Sequence, residues 1–122
     1  MYKSFKEMPV WKKAMEMAVA VFNLTEKLPK KEDYGFTSQV RRSALSVSAN
    51  IAEAYGRQHA CDKINFYYFS RGSVTETQSH LEYAKQVGYL APEFFIRLDS
   101  DLEEIYSALN KVIIALQKGA EH

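Results

Sequence analysis

The chain has 122 residues, of which 47% are apolar and 25% are charged. This length allows a single domain, residues 1–122, to bury a core without a disulfide or metal, and the composition excludes a disordered or fibrous protein. The formal net charge is only +1, so the overall balance does not indicate nucleic-acid binding.

Several features of the sequence indicate a cytoplasmic protein without membrane contact. The N-terminus lacks the apolar segment of a secretory signal, and the longest apolar runs, at 17–22 and 112–116, are too short to span a bilayer. The single cysteine, Cys61, has no partner for an internal disulfide, as is usual in a reducing compartment.

The first predicted helix runs from about Pro9 to Leu28. Pro9 suits the first helical position, where its missing N–H costs nothing, and Pro29 stops the helix. Apolar residues recur every three or four positions in two adjoining stripes, so a wide arc of the helix is expected to be covered, with Trp11 in the core. The stripes are Met8, Trp11, Met15, Ala18, Phe22 and Thr25, and Val10, Ala14, Met17, Val21, Leu24 and Leu28.

The second predicted helix spans about Thr37 to Tyr55, and Gly56 is expected to end it in a left-handed conformation. Asn50 and Glu53 lie one turn apart on it. They are interpreted either as a polar contact between helices or as a pair that contacts a partner or another subunit. The apolar face consists of Val40, Ala44, Val47, Ile51 and Ala54.

The third predicted helix runs from about Asp62, a good N-cap, to about Val87, with Gly88 as its stop. The fourth begins at Pro92, and Glu93 favours the positive end of its dipole. This last helix has the most regular apolar spacing, at Phe95, Leu98, Leu102, Ile105, Leu109, Val112 and Leu116.

Helix three carries two features that a helix packed on one side only does not explain. The four rings of residues 66–69 point in directions about 100° apart, so some of them would lie in water. Gly72 in mid-helix should cost about 1 kcal/mol relative to alanine. Close approach of the small residues of helix two would explain why a glycine occupies this position. Phe66, Tyr67 and Gly72 are therefore candidate contacts between helices or subunits.

The connections between the four predicted helices are short, which favours antiparallel neighbours. The sequence therefore predicts an all-α protein, an antiparallel up-down-up-down four-helix bundle. The apolar arcs of helices one and three exceed what one bundle can cover, which predicts a homo-oligomer.

No pattern of catalytic or metal-binding residues is evident. The histidines are His59, His80 and His122, and the pair Glu76 and His80 does not have the spacing of a di-iron bundle. Glycine-rich phosphate loops and nucleophile–base spacings are absent from the sequence. We expect no catalytic residue, metal or cofactor; an enzymatic role would need a deep pocket that joins Glu53, Glu76 and His80.

Charge is distributed unevenly along the chain. Residues 1–61 hold ten Lys/Arg against six Asp/Glu, a balance of +4, and residues 62–122 hold six against nine, a balance of −3. Basic and acidic helices that attract each other would produce this pattern, as would a basic face that meets an acidic partner such as nucleic acid. The candidate nucleic-acid-binding residues are Lys12, Lys13, Lys30, Lys31, Arg41 and Arg42.

Residues 34–57 read YGFTSQVRRSALSVSANIAEAYGR. This segment resembles the four-helix bundle family of proteins encoded in intervening sequences of 23S rRNA genes, also labelled S23 ribosomal protein. The resemblance extends to residues 10–14, 66–67, 71–73 and 88–90, and so to nearly the whole chain. The family usually has proline at the position of Ser48 and glycine at that of Ala54, which implies a straighter second helix in this chain.

The resemblance implies a homopentamer of antiparallel bundles around a central channel. Relatives include the accessory protein of diversity-generating retroelements, which binds nucleic acid and a reverse transcriptase. That relative is strongly basic and this chain is nearly neutral, so its activity is not carried over outright. Two hypotheses follow: an oligomeric scaffold that binds RNA or DNA through helices one and two, and a protein–protein adaptor without nucleic-acid contact.

Overall fold

The computed structural model describes residues 1–119, which form four α-helices and two single-turn 3-10 helices. None of the helices in this range is long and apolar enough to cross a membrane. The helices are α1 (Pro9–Thr25), α2 (Phe36–Gly56), α3 (Ala60–Gln86) and α4 (Pro92–Gln117), and the 3-10 turns are Phe5–Glu7 and Lys30–Glu32.

The four helices pack as a square. Each helix packs against its neighbours along the chain and α4 also packs against α1, whereas the backbones of the diagonal pairs α1–α3 and α2–α4 do not approach within 8 Å between Cα atoms. Because the connections are short, consecutive helices run in opposite directions. The predicted all-α, antiparallel four-helix bundle is therefore confirmed.

The core lies along the axis of the square and receives one apolar stripe from each helix. On α1 the buried stripe is the one that contains Ala14, and the stripe that contains Trp11 is only partly buried against it. The innermost side chains of the other helices are Val40, Val47 and Ile51 on α2, Tyr67, Val74 and Leu81 on α3, and Leu102, Ile105 and Leu109 on α4.

Local sequence rules locate three helix ends correctly. Pro9 and Pro92 occupy the first turns of α1 and α4. Gly88 follows α3 with a φ of 86°, a left-handed conformation that favours glycine. Its N–H and that of Tyr89 donate to the carbonyls of Lys85 and Ala84 at 3.2 and 2.8 Å, which closes the end of α3 as a Schellman motif.

Three predicted helix ends are wrong. Helix α1 ends at Thr25 rather than Leu28. Helix α3 begins earlier, with His59 at the N-cap, so Asp62 lies inside the first turn. Gly56 belongs to α2 and does not have a positive φ, because the chain leaves this helix through an extended residue instead.

Small polar side chains fill the seam between α2 and α3. The buried hydroxyl of Ser70 donates to the carbonyl oxygen of Val47 at 2.8 Å. Thr77 Oγ1 lies 2.9 Å from Ser43 Oγ, again in the interior. Such short side chains let two helices pack closely, and their mutual hydrogen bonds offset the loss of water.

Gly72 does not take part in this seam. It is exposed, and a Cβ atom at its position would meet no atom within 4 Å. The expected close approach between Gly72 and α2 is therefore wrong within the chain, since Ser70 and Thr77 make these contacts instead.

The four consecutive aromatic residues of α3 differ in burial, as the helical spacing predicts. Tyr67 is fully buried and Phe66 is half-buried, whereas Tyr68 and Phe69 are 38% and 58% exposed. The buried hydroxyl of Tyr67 has no hydrogen-bond partner within residues 1–119. Burial, followed by the nearby phenol of Tyr2, raises the pKa of Tyr67 to about 12.

Replacing Tyr67 with phenylalanine should make the protein more resistant to alkali. The folded-state pKa of Tyr67 lies above the unfolded value of 10, so its contribution to folding stability is complete below pH 10 and is lost as the pH rises towards 12. The loss amounts to about 2–3 kcal/mol. Urea denaturation of the wild type and Tyr67→Phe between pH 8 and about 11.5 measures the difference.

At pH 7 the same variant should be as stable as the wild type or about 1 kcal/mol more stable, because it removes a buried polar atom without a partner. Tyr68→Phe is the matched control, since Tyr68 is exposed. This variant should lose as much free energy of unfolding at alkaline pH as the wild type does. A Tyr67→Phe variant that is clearly less stable at pH 7 would show that the hydroxyl does have a partner.

Candidate functional site

Arg41 faces the seam between α1 and α2. Its Nε donates to Thr25 Oγ1 at 2.7 Å, and its Nη2 bonds Glu26 Oε2 at 2.9 Å. The guanidinium carbon lies 4.4 Å above the centre of the Phe22 ring. Arg41, which is predicted to contact nucleic acid, is thus engaged within the chain, where it holds the start of α2 to the end of α1.

Arg42 points towards α3 instead, because consecutive helical residues are about 100° apart. Its Nη2 pairs with Glu76, which also lies 3.3 Å from His80 Nε2. The predicted Arg41–Arg42 pair is therefore divided between two seams of the bundle.

The lysine pair at the start of α1 is divided in the same way. Lys13 forms ion pairs with Glu104 and, at 3.6 Å, with Asp101 of α4. The hydrogen bond to Glu104 is the main cause that raises the pKa of Lys13. Lys12 is exposed and forms no ion pair within residues 1–119.

Lys30 and Lys31 occupy the 3-10 turn between α1 and α2. Both are exposed, and neither forms an ion pair in the described part of the chain. Along α1, position 12 is about 20 Å from the end of the helix, at 1.5 Å per residue. The six candidate basic residues therefore do not form one surface: three are paired internally, and the others lie near opposite ends of α1.

Asn50 and Glu53 do not contact each other. The Asn50 amide donates to the carbonyl and hydroxyl oxygens of Ser46, both at 2.9 Å, while Glu53 pairs with Arg57 at 3.0 Å. Arg57 in turn lies 4.6 Å above the Phe66 ring. Glu53 thus pairs at the end of α2, whereas Glu76 pairs with Arg42 near its start, so the structure does not bring Glu53 together with the Glu76–His80 pair.

The structure reveals two exposed apolar surfaces that regular spacing alone did not distinguish from core stripes. We call the first the α1–α2 face; it contains Val19, Phe22 and Leu45, which are 50%, 48% and 55% exposed. Val19 and Leu45 lie one turn from Phe22 and Arg41 respectively, and the contact between Phe22 and Arg41 joins the two helices.

We call the second surface the α3 face. It contains Phe69, Tyr83 and Val87, which are 58%, 51% and 48% exposed and share one side of the helix with Gly72. Glu76 and His80 lie on the same side between Phe69 and Tyr83, so this face is apolar towards its two ends and carries the Arg42–Glu76 ion pair at its centre. Glu76 and Tyr83 of the α3 face contact Arg42 and Phe36 of α2. The α3 face therefore lies on the α2–α3 side of the bundle, next to the side that carries the α1–α2 face.

Among residues 1–119, no three His, Cys, Asp or Glu side chains are grouped as metal ligands require; His122 lies outside this range. The geometry defines a helical bundle whose exposed features are apolar faces and surface ion pairs.

The chain belongs to the 23S rRNA-intervening sequence protein family, whose model matches residues 6–111. It is similar to a solved protein of unknown function from the S23 ribosomal protein family of Bacteroides thetaiotaomicron. The two share 27% identity with a TM-score of 0.77, over 85% of this chain and 97% of that one. No curated protein matches the chain.

Arg41 and Arg42 should differ in their contribution to stability. Arg41→Gln removes charge-assisted hydrogen bonds from a partly buried seam and should lower the free energy of unfolding by about 1–2 kcal/mol. Arg42→Gln breaks an exposed pair and should lower it by about 0.5 kcal/mol or less. Urea denaturation at pH 7 compares these adjacent, chemically matched substitutions; equal losses would contradict the division of the pair between two seams.

Proposed function

We propose that the protein is a non-enzymatic homo-oligomeric scaffold of the cytoplasm, in which five copies close into a ring. The observation that carries this proposal is the presence of two separate exposed apolar faces, the α1–α2 face and the α3 face. Glu53 and Glu76, two of the groups that an enzymatic role would need, are engaged in ion pairs with Arg57 and Arg42, a structural use that supports a scaffold.

The position of the two faces supports a ring in particular. A pair of copies related by a twofold axis uses one patch twice and needs only one apolar surface. Two different surfaces on different sides of the bundle suit a head-to-tail contact, in which the α1–α2 face of one copy meets the α3 face of the next. Such contacts form a closed ring when the rotation between copies allows it.

The ion pairs favour the adaptor form of this scaffold over the form that binds nucleic acid. Three of the six candidate basic residues, Lys13, Arg41 and Arg42, have carboxylate partners within the chain. In a form that binds RNA or DNA, the exposed Lys12, Lys30 and Lys31 would contact phosphate groups. Several copies of the chain in one ring would then combine many weak contacts. A reverse transcriptase or another protein is the corresponding partner of the adaptor.

The head-to-tail contact can be tested with two variants that each disable one face. Leu45→Glu and Phe69→Glu should each be monomeric, because every contact in a closed ring uses both faces. Mixed in equal amounts they should form a dimer, since one intact α1–α2 face then meets one intact α3 face. Light scattering coupled to size-exclusion chromatography measures the molar mass, which for the wild type should be five times the 14.0 kDa of the chain.

Ile96→Glu is the matched control, because Ile96 is 65% exposed on α4 and belongs to neither face. This variant should retain the wild-type mass. A wild type that stays monomeric at high concentration would refute the oligomer. A mixture of the two variants that stays monomeric, beside an oligomeric wild type, would refute the head-to-tail contact alone.

Nucleic-acid binding is tested by a gel shift with a structured RNA and a duplex DNA at low and increasing salt. If the protein binds nucleic acid, the Lys30→Gln/Lys31→Gln double variant should bind more weakly and its affinity should depend less on salt. The reason is that each lost phosphate contact lowers the slope of log affinity against log salt concentration by about 1. Arg42→Gln is the control and should change neither. An intact oligomer that binds neither probe at low salt would leave the adaptor as the function.

A further inference from the structure

A cleft of about 390 Å³ opens between the end of α1 and the start of α4. Helices α1 and α4 share the least extensive of the four seams, so the cleft lies where the bundle is least tightly closed. It lies on the α4 flank of α1, whereas Phe22 of the α1–α2 face lies on the α2 flank. Val19 of that face lies between the two flanks, one turn from Asn23 of the cleft lining. The lining residues are Ala20, Asn23, Leu24, Lys27, Phe94, Arg97, Leu98 and Asp101.

The chemistry of the cleft combines an apolar floor with unpaired positive charge. Leu24 and Leu98 contribute to the floor, and Phe94 is 52% exposed beside them. Lys27 and Arg97 form no ion pair with any described residue. Asp101, the acidic group of the lining, is already bound by Lys13. The cleft therefore presents a net positive charge next to apolar surface.

Both ends of the cleft limit the size of what it can hold. The ion pairs of Lys13 with Asp101 and Glu104 bridge α1 and α4 at the inner end, and both helices stop close to the outer end. Residues 20–27 of α1 span about 10 Å at 1.5 Å per residue. The volume falls within the range of small-molecule sites, which is about 300–1,000 Å³.

We propose that this cleft binds a small amphipathic organic acid with a single anionic head group. The apolar body would lie on Leu24, Leu98 and Phe94. The head group would bind Arg97, whose planar guanidinium matches a carboxylate with two parallel hydrogen bonds, and Lys27 would add a second positive charge. Charge complementarity selects an anion, and the apolar floor selects against small inorganic ions.

The test uses decanoate below its micelle concentration, because its acyl chain is comparable in length to the cleft. Isothermal titration calorimetry should detect saturable binding of decanoate to the wild-type protein and at least about tenfold weaker binding of the uncharged decanol, as expected when about 1.4 kcal/mol of charge interaction is lost. Arg97→Gln and Lys27→Gln should each weaken decanoate binding about fivefold. Ala20→Phe should abolish it by filling the cleft.

Lys111→Gln is the matched control, since Lys111 is exposed on α4 outside the cleft, and it should leave the affinity unchanged. Thermal melting confirms that each variant is folded. Absence of saturable decanoate binding, equal affinity for decanoate and decanol, or unchanged affinity in Arg97→Gln or Ala20→Phe would overturn the proposal. None of these outcomes depends on whether the protein forms a ring.

Discussion

The packing of α2 against α3 determines which surfaces the rest of the molecule exposes. Ser70 and Thr77 fix the rotation of α3 through their contacts with Val47 and Ser43, and a helix has only one rotation that satisfies both. This rotation directs Tyr67 into the core. The same rotation necessarily turns the opposite side of α3 outwards, because side chains two residues apart point in nearly opposite directions. The exposed α3 face is thus a geometric consequence of a buried polar seam.

Part of the uneven charge along the chain is matched inside the bundle. Lys13 and Arg42, from the basic half, pair with Glu104 and Glu76 from the acidic half, as the interpretation of mutually attracting helices predicts. Exposed ion pairs contribute little free energy individually. Their position matters more, because they lie at the edges of seams whose centres are apolar or uncharged and so favour the observed neighbours over other arrangements.

The sequence predicts the fold well because the fold depends on local rules, and it predicts the candidate sites poorly because these depend on helix rotation and separation. Proline at a first turn and a left-handed Gly88 are decided by a few neighbouring residues. The role of Gly72 depends on the rotation of α3 about its axis relative to α2, and the periodicity of apolar residues does not determine that rotation. The separation of Arg41 from Arg42 follows from the 100° rotation per residue and could have been predicted. The cleft could not have been predicted from the sequence, because its width is set by the distance between α1 and α4.

The proposed ring and the proposed ligand cleft use largely different flanks of the same helix. Phe22 lies on the flank of α1 that faces α2, beside Arg41, whereas Leu24 lies on the flank that faces α4. A copy docked on the α1–α2 face therefore need not cover the cleft. The two sites nevertheless adjoin on one rigid helix, because Val19 and Phe22 of the face are followed in the sequence by Ala20 and Asn23 of the cleft lining.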